Sequence, residues 1–447
     1  MSTHDRPPHH APTSRRDFVA ASIASGLGLA LASGAPRPAF ATAPAPRAAA
    51  TSSNARIGIG FIACGKRMFE MLPEFLGRAD CHVLAVCDVD TTRRNHAKSL
   101  VDAHHASSGC AAFNDHRELL AHPGIDAVVI STPDHWHAIQ IIDAAAAKKD
   151  IYCEKPLTLT IAEAKACIDA VRKHDRVFQT GSQQRTEYGG VFRSACEYIR
   201  AGKIGKVLHA HIGVGVSSVP CTLAEEPLEP GLDWDRWLGP APSRPYHSVL
   251  SPRGVHKHYP DWRLYSEYSG GMMTDFGAHH FDICQWALDM DTSGPTDIIP
   301  PEDPAAQYGC RLVYPNGTTA HHGGPHGGTY VGERGSIYVS RGVAHSIPPD
   351  LLKKPLDDGD PRLPSATSHI ANFIDCIKSR QRCICDVEVG ARSVTVCHLA
   401  NLAYWHRKRL RWDPKAWRFL TPDGSPDAKA NAWLDVTRRD GYQLPSF

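Results

Sequence analysis

The chain has 447 residues, 42% of them hydrophobic and 21% charged, with a formal net charge of +2. That is enough apolar material for two ordinary domains with sizeable cores. The near-neutral balance carries no electrostatic footprint for nucleic acid or an anionic membrane, so small molecules are the expected partners.

The first element in chain order is an export signature. Ser14-Arg15-Arg16-Asp17-Phe18-Val19, followed by an uncharged small-residue run from Ala20 to Ala35, reads as a twin-arginine secretion signal, with Ala39-Phe40-Ala41 as the cleavage site. The run is too short and too rich in Gly, Ser and Ala to span a membrane. Residues 43–54, rich in Ala, Pro, Ser and Thr, read as a linker. Twin-arginine substrates cross the membrane folded, so a cofactor acquired in the cytoplasm travels with the protein to a periplasmic or other extracytoplasmic location. The 14 cysteines lie mostly in apolar segments without small-domain disulfide spacing and read as packed thiols. Cys383-Ile384-Cys385 is too closely spaced for a bridge between those two and lacks the second pair of a zinc ribbon.

Residues 55–180 carry the pattern of a dinucleotide-binding domain. Ile57 to Ile62 is a continuous apolar run, as in a strand buried on both faces of a parallel sheet. The turn Ala63-Cys64-Gly65-Lys66-Arg67-Met68 follows, then a helical pattern through Met71, Leu72, Phe75 and Leu76. Such a turn aims backbone N–H groups and a helix N-terminus at a pyrophosphate. Placed on the G-x-G-x-x-G fingerprint, its positions hold Ala63, Gly65 and Met68, so only the central glycine remains. Ala63 is expected to take the turn with negative φ, and Met68 to push the helix from the strand or alter the phosphate site.

His82 to Cys87 is the second strand and ends at Asp88, 23 residues beyond Gly65, near the spacing of the acid that holds the adenosine ribose hydroxyls. An aspartate there favours NAD over NADP by repelling a 2′-phosphate, although Arg93 and Arg94 stand close enough to offset it. Further strands at 126–131, 151–153 and 177–179 alternate with helices, which gives a doubly wound parallel sheet with ligands at the carboxyl ends of its strands. Two of those ends carry chemistry. Thr132-Pro133-Asp134-His135-Trp136-His137 follows one strand, and Glu154-Lys155-Pro156 follows another, where the proline fixes a lysine beside the cleft. Gly181-Ser182-Gln183-Gln184-Arg185 follows the last strand, with polar side chains to line a cleft or meet solvent.

Residues 181–410 read as a second α/β domain, with strands around 207–216, 310–314 and 336–340 and helices at 369–376 and 391–406 that pack on the first domain. Residues 411–447 are a C-terminal extension. After Ser269-Gly270-Gly271-Met272-Met273-Thr274 the pattern is helical, so Asp275 and His279 share a face, with Asp282 a turn beyond. His279-His280-x-Asp282 contains metal-ligand types, but neighbouring helix residues point about 100° apart, and no metal is expected. Trp234, Trp237, Tyr246, His256, His258 and Tyr259 are either sugar-facing or core aromatics. His321, His322 and His326 fall in a glycine-rich hairpin region.

Thr132-Pro133 with His137, Glu154-Lys155-Pro156 and Asp275-x-x-x-His279 together resemble the glucose-fructose oxidoreductase, inositol dehydrogenase and rhizopine catabolism (Gfo/Idh/MocA) oxidoreductases, over most of the chain from Arg56 to beyond Leu410. The resemblance implies an N-terminal Rossmann domain, a C-terminal α/β domain with a large, open, mostly antiparallel sheet, and homo-oligomers. It also implies that Lys155 lies near nicotinamide and substrate, that Asp275 and His279 complete the catalytic group, and that Thr132, Pro133 and Glu154 border the nicotinamide ribose. Ala63, Gly65, Arg67, Asp88, His137 and Gln183 complete the expected cofactor contacts. The expected activity is hydride transfer from a secondary hydroxyl of a sugar, polyol or glycoside to tightly held NAD, with NADP as the other cofactor. Two other activities fit the same residues. One is an NAD-dependent glycosidase that oxidises, eliminates and re-reduces; the other is a saccharide-binding relative without cofactor turnover.

Overall fold

A computed structural model describes residues 56–445; the export signature and the linker lie outside them. The first sheet is built from β1 (Ile57–Ile62), β2 (Cys81–Cys87), β3 (Ala111–Phe113), β4 (Ala127–Ile130), β5 (Asp150–Cys153) and β6 (Phe178–Thr180), in the order β3-β2-β1-β4-β5-β6 with every neighbour parallel. The helices between them are α1 (Lys66–Leu76), α2 (Thr91–His105), α3 (His116–Ala121), α4 (Asp134–Ala146) and α5 (Ile161–Lys173). The strands read as unbroken apolar runs because both faces are covered. Val128 and Ile130 of β4 belong to one buried cluster, and Ala127 and Val129, which point the other way, to another. Strand order reverses between β1 and β4, so the loops after β1 and β4 splay apart and open a crevice at the carboxyl edge.

Beyond this sheet come α6 (Val191–Arg200), β7 (Val207–Gly213), α7 (Trp234–Leu238), α8 (Met272–Asp275) and α9 (Gly277–Ala287). The second sheet then adds β8 (Asp297–Ile299), β9 (Arg311–Val313), β10 (Thr319–Gly332), β11 (Gly335–Ser340), β12 (Val343–Ile347), β13 (Leu410–Asp413) and β14 (Arg418–Leu420). Its order is β12-β11-β10-β9-β8-β13-β14, with β7 paired to β10. The fold class is therefore α/β, a parallel Rossmann sheet followed by a mostly antiparallel eight-stranded one. The glycine-rich stretch of β10 folds around the end of β7. Thr319–His322 runs alongside His209–Ile212 in rising register and Gly328–Val331 in falling register, while a Cβ on Gly213 would lie 1.8 Å from the Pro325 carbonyl oxygen. One face of this sheet, with Ala210, Leu312, Ala320, Tyr330 and Ile337, is buried against α6, α9 and the last long helix.

That last helix ties the halves together. After α10 (His369–Ser379), α11 (Val387–His406) buries Val387, Ala391 and Val394 in the core of the first sheet, and Val396, Leu399, Ala400 and Ala403 in the core of the second. Among the described residues no helix is long and apolar enough to cross a membrane.

Several buried histidines make the fold sensitive to acid. Desolvation holds His135 and His280 down at about 3, and His369 and His398 at about 4, against 6.5 for a solvated ring. Below pH 6.5 the unfolded chain takes up protons at these rings and the folded chain does not, so stability present at neutral pH is lost as the pH falls. Each ring contributes a slope of about 1.4 kcal/mol per pH unit over that window. Asp134, raised by burial to about 7, works in the opposite sense. Tm is expected to fall steadily from pH 6.5 to pH 4.5, and a flat profile would mean that these rings are protonated in the folded chain.

Candidate functional site

The crevice at the switch point spans about 910 Å³, counting the space open to solvent at its mouth. Ala63, Gly65, Arg67, Asp88, Thr132 and Pro133 stand on its wall, together with Arg263, Trp237, His256 and Tyr259 from the second half of the chain. The floor is the turn between β1 and α1. Gly65 caps α1 without any side-chain hydrogen bond, so the first-turn N–H groups of the helix face open space, and a Cβ placed on Gly65 would meet nothing within 4 Å. This is an anion cradle of the kind that receives a pyrophosphate.

The two departures from the glycine fingerprint resolve differently from the sequence expectation. Ala63 does not keep a negative φ; it sits at φ 75°, because the chain must reverse from β1 into α1 while Ala63 N–H bonds the Cys87 carbonyl at 2.8 Å. A non-glycine residue there stores about 1–2 kcal/mol of strain. Met68 does not intrude on the phosphate turn either. It is fully buried in the core with Phe61, Cys64, Met71 and Phe75, and is absent from the crevice wall.

Asp88 closes the turn from the side. Its carboxylate accepts the Cys64 N–H at 2.6 Å and the Asp90 N–H at 2.8 Å, and burial raises its pKa against the pull of Arg93. The two arginines beyond it are held by protein acceptors, although Arg93 also lies on the crevice wall. Arg93 donates to Ser251, Pro252 and Gly254, and Arg94 to the Asp88 carbonyl, Asn114 and Thr91.

Glu154, Lys155, His137 and Gln183 are not on the crevice wall but form a hydrogen-bonded layer reached from it. Arg67 crosses from the wall to Glu154 at 2.8 Å, and Gln183 donates to the same carboxylate oxygen at 2.8 Å and to the Tyr152 hydroxyl at 2.9 Å. Gly181 leaves room for this carboxylate, since a Cβ there would lie 2.7 Å from it. His137 clips the two loops together, its ring nitrogens 2.9 Å from the Thr132 carbonyl and 2.8 Å from that of Pro156. It positions the loops and has no open face to a ligand.

Lys155 reaches across to the second half of the chain. Its ammonium donates to Asp275 Oδ1 at 2.6 Å and to the Asp275 carbonyl at 3.0 Å. That carbonyl is available because the helix predicted to run through Asp275 and His279 is interrupted. α8 ends at Asp275, α9 begins at Gly277, and the His279 N–H turns to the Phe276 carbonyl at 3.0 Å. Burial alone would raise the Asp275 pKa, but Lys155 and Arg263, the latter 3.6 Å away, hold it below the usual range. His279 lies beside them, nearly buried, with desolvation and then Lys155 pushing its pKa well down, so the ring is neutral at pH 7. Its Nδ1 finds no hydrogen-bond partner among the described residues.

Asp282, on the same helix, turns away from this group. It pairs with the fully buried Arg185 at 2.8 Å and accepts from Ser393 at 2.7 Å, a structural ion pair. His280 contacts His326 at 3.3 Å, whereas His322 is bonded to Tyr404 in the core. Trp234, Trp237 and Tyr246 stack in a satellite core with Trp262 and Tyr268. Sequence reasoning missed Arg263 and Arg341. Arg341 is held through Gln184, which bonds the Arg341 Nε and the His279 carbonyl, both at 3.2 Å. Arg263 lies in a short 3-10 helix, Asp261–Leu264, and Arg341 in the turn between β11 and β12, and only the fold brings them to the site.

A nucleotide crevice on one half of the chain and a lysine clasped by an aspartate of the other define a two-domain oxidoreductase. Residues 55–182 match the family described as "Oxidoreductase family, NAD-binding Rossmann fold", and residues 217–444 match its partner, "Oxidoreductase family, C-terminal alpha/beta domain". The chain belongs to the Gfo/Idh/MocA oxidoreductase family. Inositol 2-dehydrogenase of Acidothermus cellulolyticus is 31% identical over 209 residues, 45% of this chain and 58% of that protein. Alpha-N-acetylgalactosaminidase of Shewanella oneidensis is 30% identical over 156 residues, 34% of either chain. The chain thus spans little more than half of the one relative and a third of the other. The WlbA dehydrogenase from Bordetella pertussis, solved with NADH and UDP-GlcNAcA, shares the fold with a TM-score of 0.57 at 15% identity, over 80% of this chain and 99% of that one.

Replacing Ala63 by glycine tests the strained turn. Ala63→Gly is expected to raise stability by about 1 kcal/mol, because relief of the left-handed strain exceeds the added freedom of the unfolded chain. Denaturant unfolding checks it, and a loss of stability would show that Ala63 is unstrained.

Proposed function

We propose that the protein is an NAD-dependent oxidoreductase that takes hydride from a secondary hydroxyl-bearing carbon of a sugar, polyol or glycoside. The observation that carries the reading is the Lys155–Asp275 pair with His279 beside it, joined through Arg263 to the wall of a crevice that holds an uncapped helix N-terminus. Gly65 and the start of α1 would hold the pyrophosphate, Asp88 the adenosine ribose, and Thr132 and Pro133 the nicotinamide side. The engagement of Arg93 and Arg94 with protein acceptors supports NAD over NADP. When bound, NAD supplies the hydride acceptor.

The chain's own residues manage the proton. A lysine ammonium has three N–H donors, and Asp275 occupies two, which leaves one for the substrate oxygen. His279, neutral and beside that ammonium, is suited to remove the hydroxyl proton, while Lys155 stabilises the alkoxide that develops. Asp275 holds Lys155 in place. Retention of the cofactor and export by the twin-arginine route belong to the same proposal, since no NAD pool exists outside the cytoplasm to replace a lost one.

A redox-assisted glycosidase is the second reading, favoured by the similarity to alpha-N-acetylgalactosaminidase. There the same proton transfer opens the cycle, and re-reduction closes it with no net oxidation.

Small molecules released from the purified, folded protein are expected to include NAD at near one per chain. No nucleotide, even after reconstitution, would favour a saccharide-binding relative. Once a substrate is found, Lys155→Ala and His279→Ala should each lower kcat by about 10²-fold or more. Near wild-type turnover in both would remove the catalytic assignment. Product analysis on a glycoside then separates net oxidation from hydrolysis.

A further inference from the structure

The arginines around the site are answered by protein acceptors, with one exception. Arg67 pairs with Glu154 and Glu70, Arg185 with Asp282 and Asp291, and Arg263 stands 3.6 Å from the Asp275 carboxylate while its Nη1 donates to the Pro260 carbonyl. Arg341 differs. Its Nε donates to Gln184 Oε1 at 3.2 Å, but among the described residues its two Nη groups have neither a hydrogen bond nor an ion pair.

The free guanidinium is nevertheless held beside the reacting groups. Its Cζ lies 5.5 Å from the centre of the Phe276 ring and 5.2 Å from that of Tyr188, so two aromatic rings flank it. Phe276 is the residue at the break between α8 and α9, next to Asp275 in the chain. Gln184, which takes the Nε, donates with its own Nε2 to the His279 carbonyl at 3.2 Å and so ties the arginine to the helix that carries His279. Tyr188 reaches its place through a left-handed backbone at φ 57°, ahead of Gly189 at 66° and Gly190 at 71°. A side chain in that conformation persists only where its surroundings hold it.

Both Arg341 and Tyr188 are exposed, so the guanidinium is open to a solute. Glu187, the acidic neighbour on the same loop, makes no ion pair with it among the described residues, and burial raises the pKa of that carboxyl. The charge of Arg341 is also felt at Asp275 and His279, where it adds to Lys155 in holding both pKa values down.

We propose that Arg341 anchors an anionic group of the substrate, so that the site takes an acidic saccharide, a uronate or a sugar phosphate, in preference to a neutral sugar or polyol. The proposal rests on the reading of Lys155, Asp275 and His279 as the place where a saccharide hydroxyl is oxidised, and it narrows the substrate class of that same site. A planar fork with both Nη groups unspent can grip two oxygens of a carboxylate or phosphate at once, which fixes the ring's orientation as well as its charge.

Calorimetric titration of the purified full chain in the presence of NAD tests this with glucuronate and galacturonate, and with glucose 6-phosphate, each against its neutral parent, glucose or galactose. At least one acidic sugar is expected to bind about 10-fold or more tightly than its parent. Whether the uronates or the phosphate ester show the preference identifies the anion. Arg341→Gln should bring that acidic-to-neutral ratio close to one, and Arg341→Lys should restore only part of it, because an ammonium offers a point charge and no fork. A ratio near one for every pair in the wild type, or a preference that survives Arg341→Gln, would overturn the proposal. Calorimetry needs no turnover, so the two readings fail separately. Binding of an acidic sugar without reduction of NAD would keep the anchor and remove the oxidoreductase reading, whereas reduction of NAD with neutral sugars or polyols alone would keep that reading and remove the anchor.

Discussion

The arrangement depends on one ion pair, Lys155 with Asp275. The lysine comes from the end of β5 in the parallel sheet, and the aspartate from the break between α8 and α9 in the second half, 120 residues later in sequence. Two charges this far from bulk water are costly unless each is well hydrogen-bonded. Here the interruption at Phe276 frees a backbone carbonyl as a further acceptor, and Arg263 adds a second cation beside the carboxylate. The imperfection in the helix is thus what allows the lysine to be clasped by both side chain and backbone.

The nucleotide side is organised around a different economy. Of the three fingerprint glycines, only Gly65, where a ligand backbone contact requires open space, remains. The other two positions have been filled in ways the fold can absorb. At Ala63 the left-handed turn is kept and strained, fastened by the Cys87 carbonyl; at Met68 the side chain enters the core and leaves the turn alone. Asp88, at the position proposed for the ribose, accepts the Cys64 N–H that shapes the turn.

The parallel sheet, apart from its edge strand β3 and the order of its strands, and the three motif loops were legible in the sequence, because unbroken apolar runs and their spacing follow from burial on both faces. The second sheet was legible in class but not in path. The wrap of β10 around β7 rests on Gly323, Gly324 and Gly327 at positive φ, and glycine marks freedom without saying which way the chain turns. Side-chain placement was legible where a residue stands near its own strand end, as for Lys155 after β5. It was illegible where long-range packing decides: His137 became a clip, Asp282 a buried counter-ion, and Arg263 and Arg341 came to the site from distant segments.

The helix α11 carries an implication for how the molecule moves and how it can be cut. Its first turns complete the core of one sheet and its later turns the core of the other, while α10 adds Ile370, Phe373 and Ile374 to the opposite face of the first. A chain ending after β6 would leave those apolar faces bare, so the nucleotide-binding half is not a module that can be excised by truncation. For the same reason a wide hinge opening between the halves would have to bend or unwind a continuous helix. Any opening of the crevice that leaves this helix intact would have to come from segments of its own wall, among them residues 251–263.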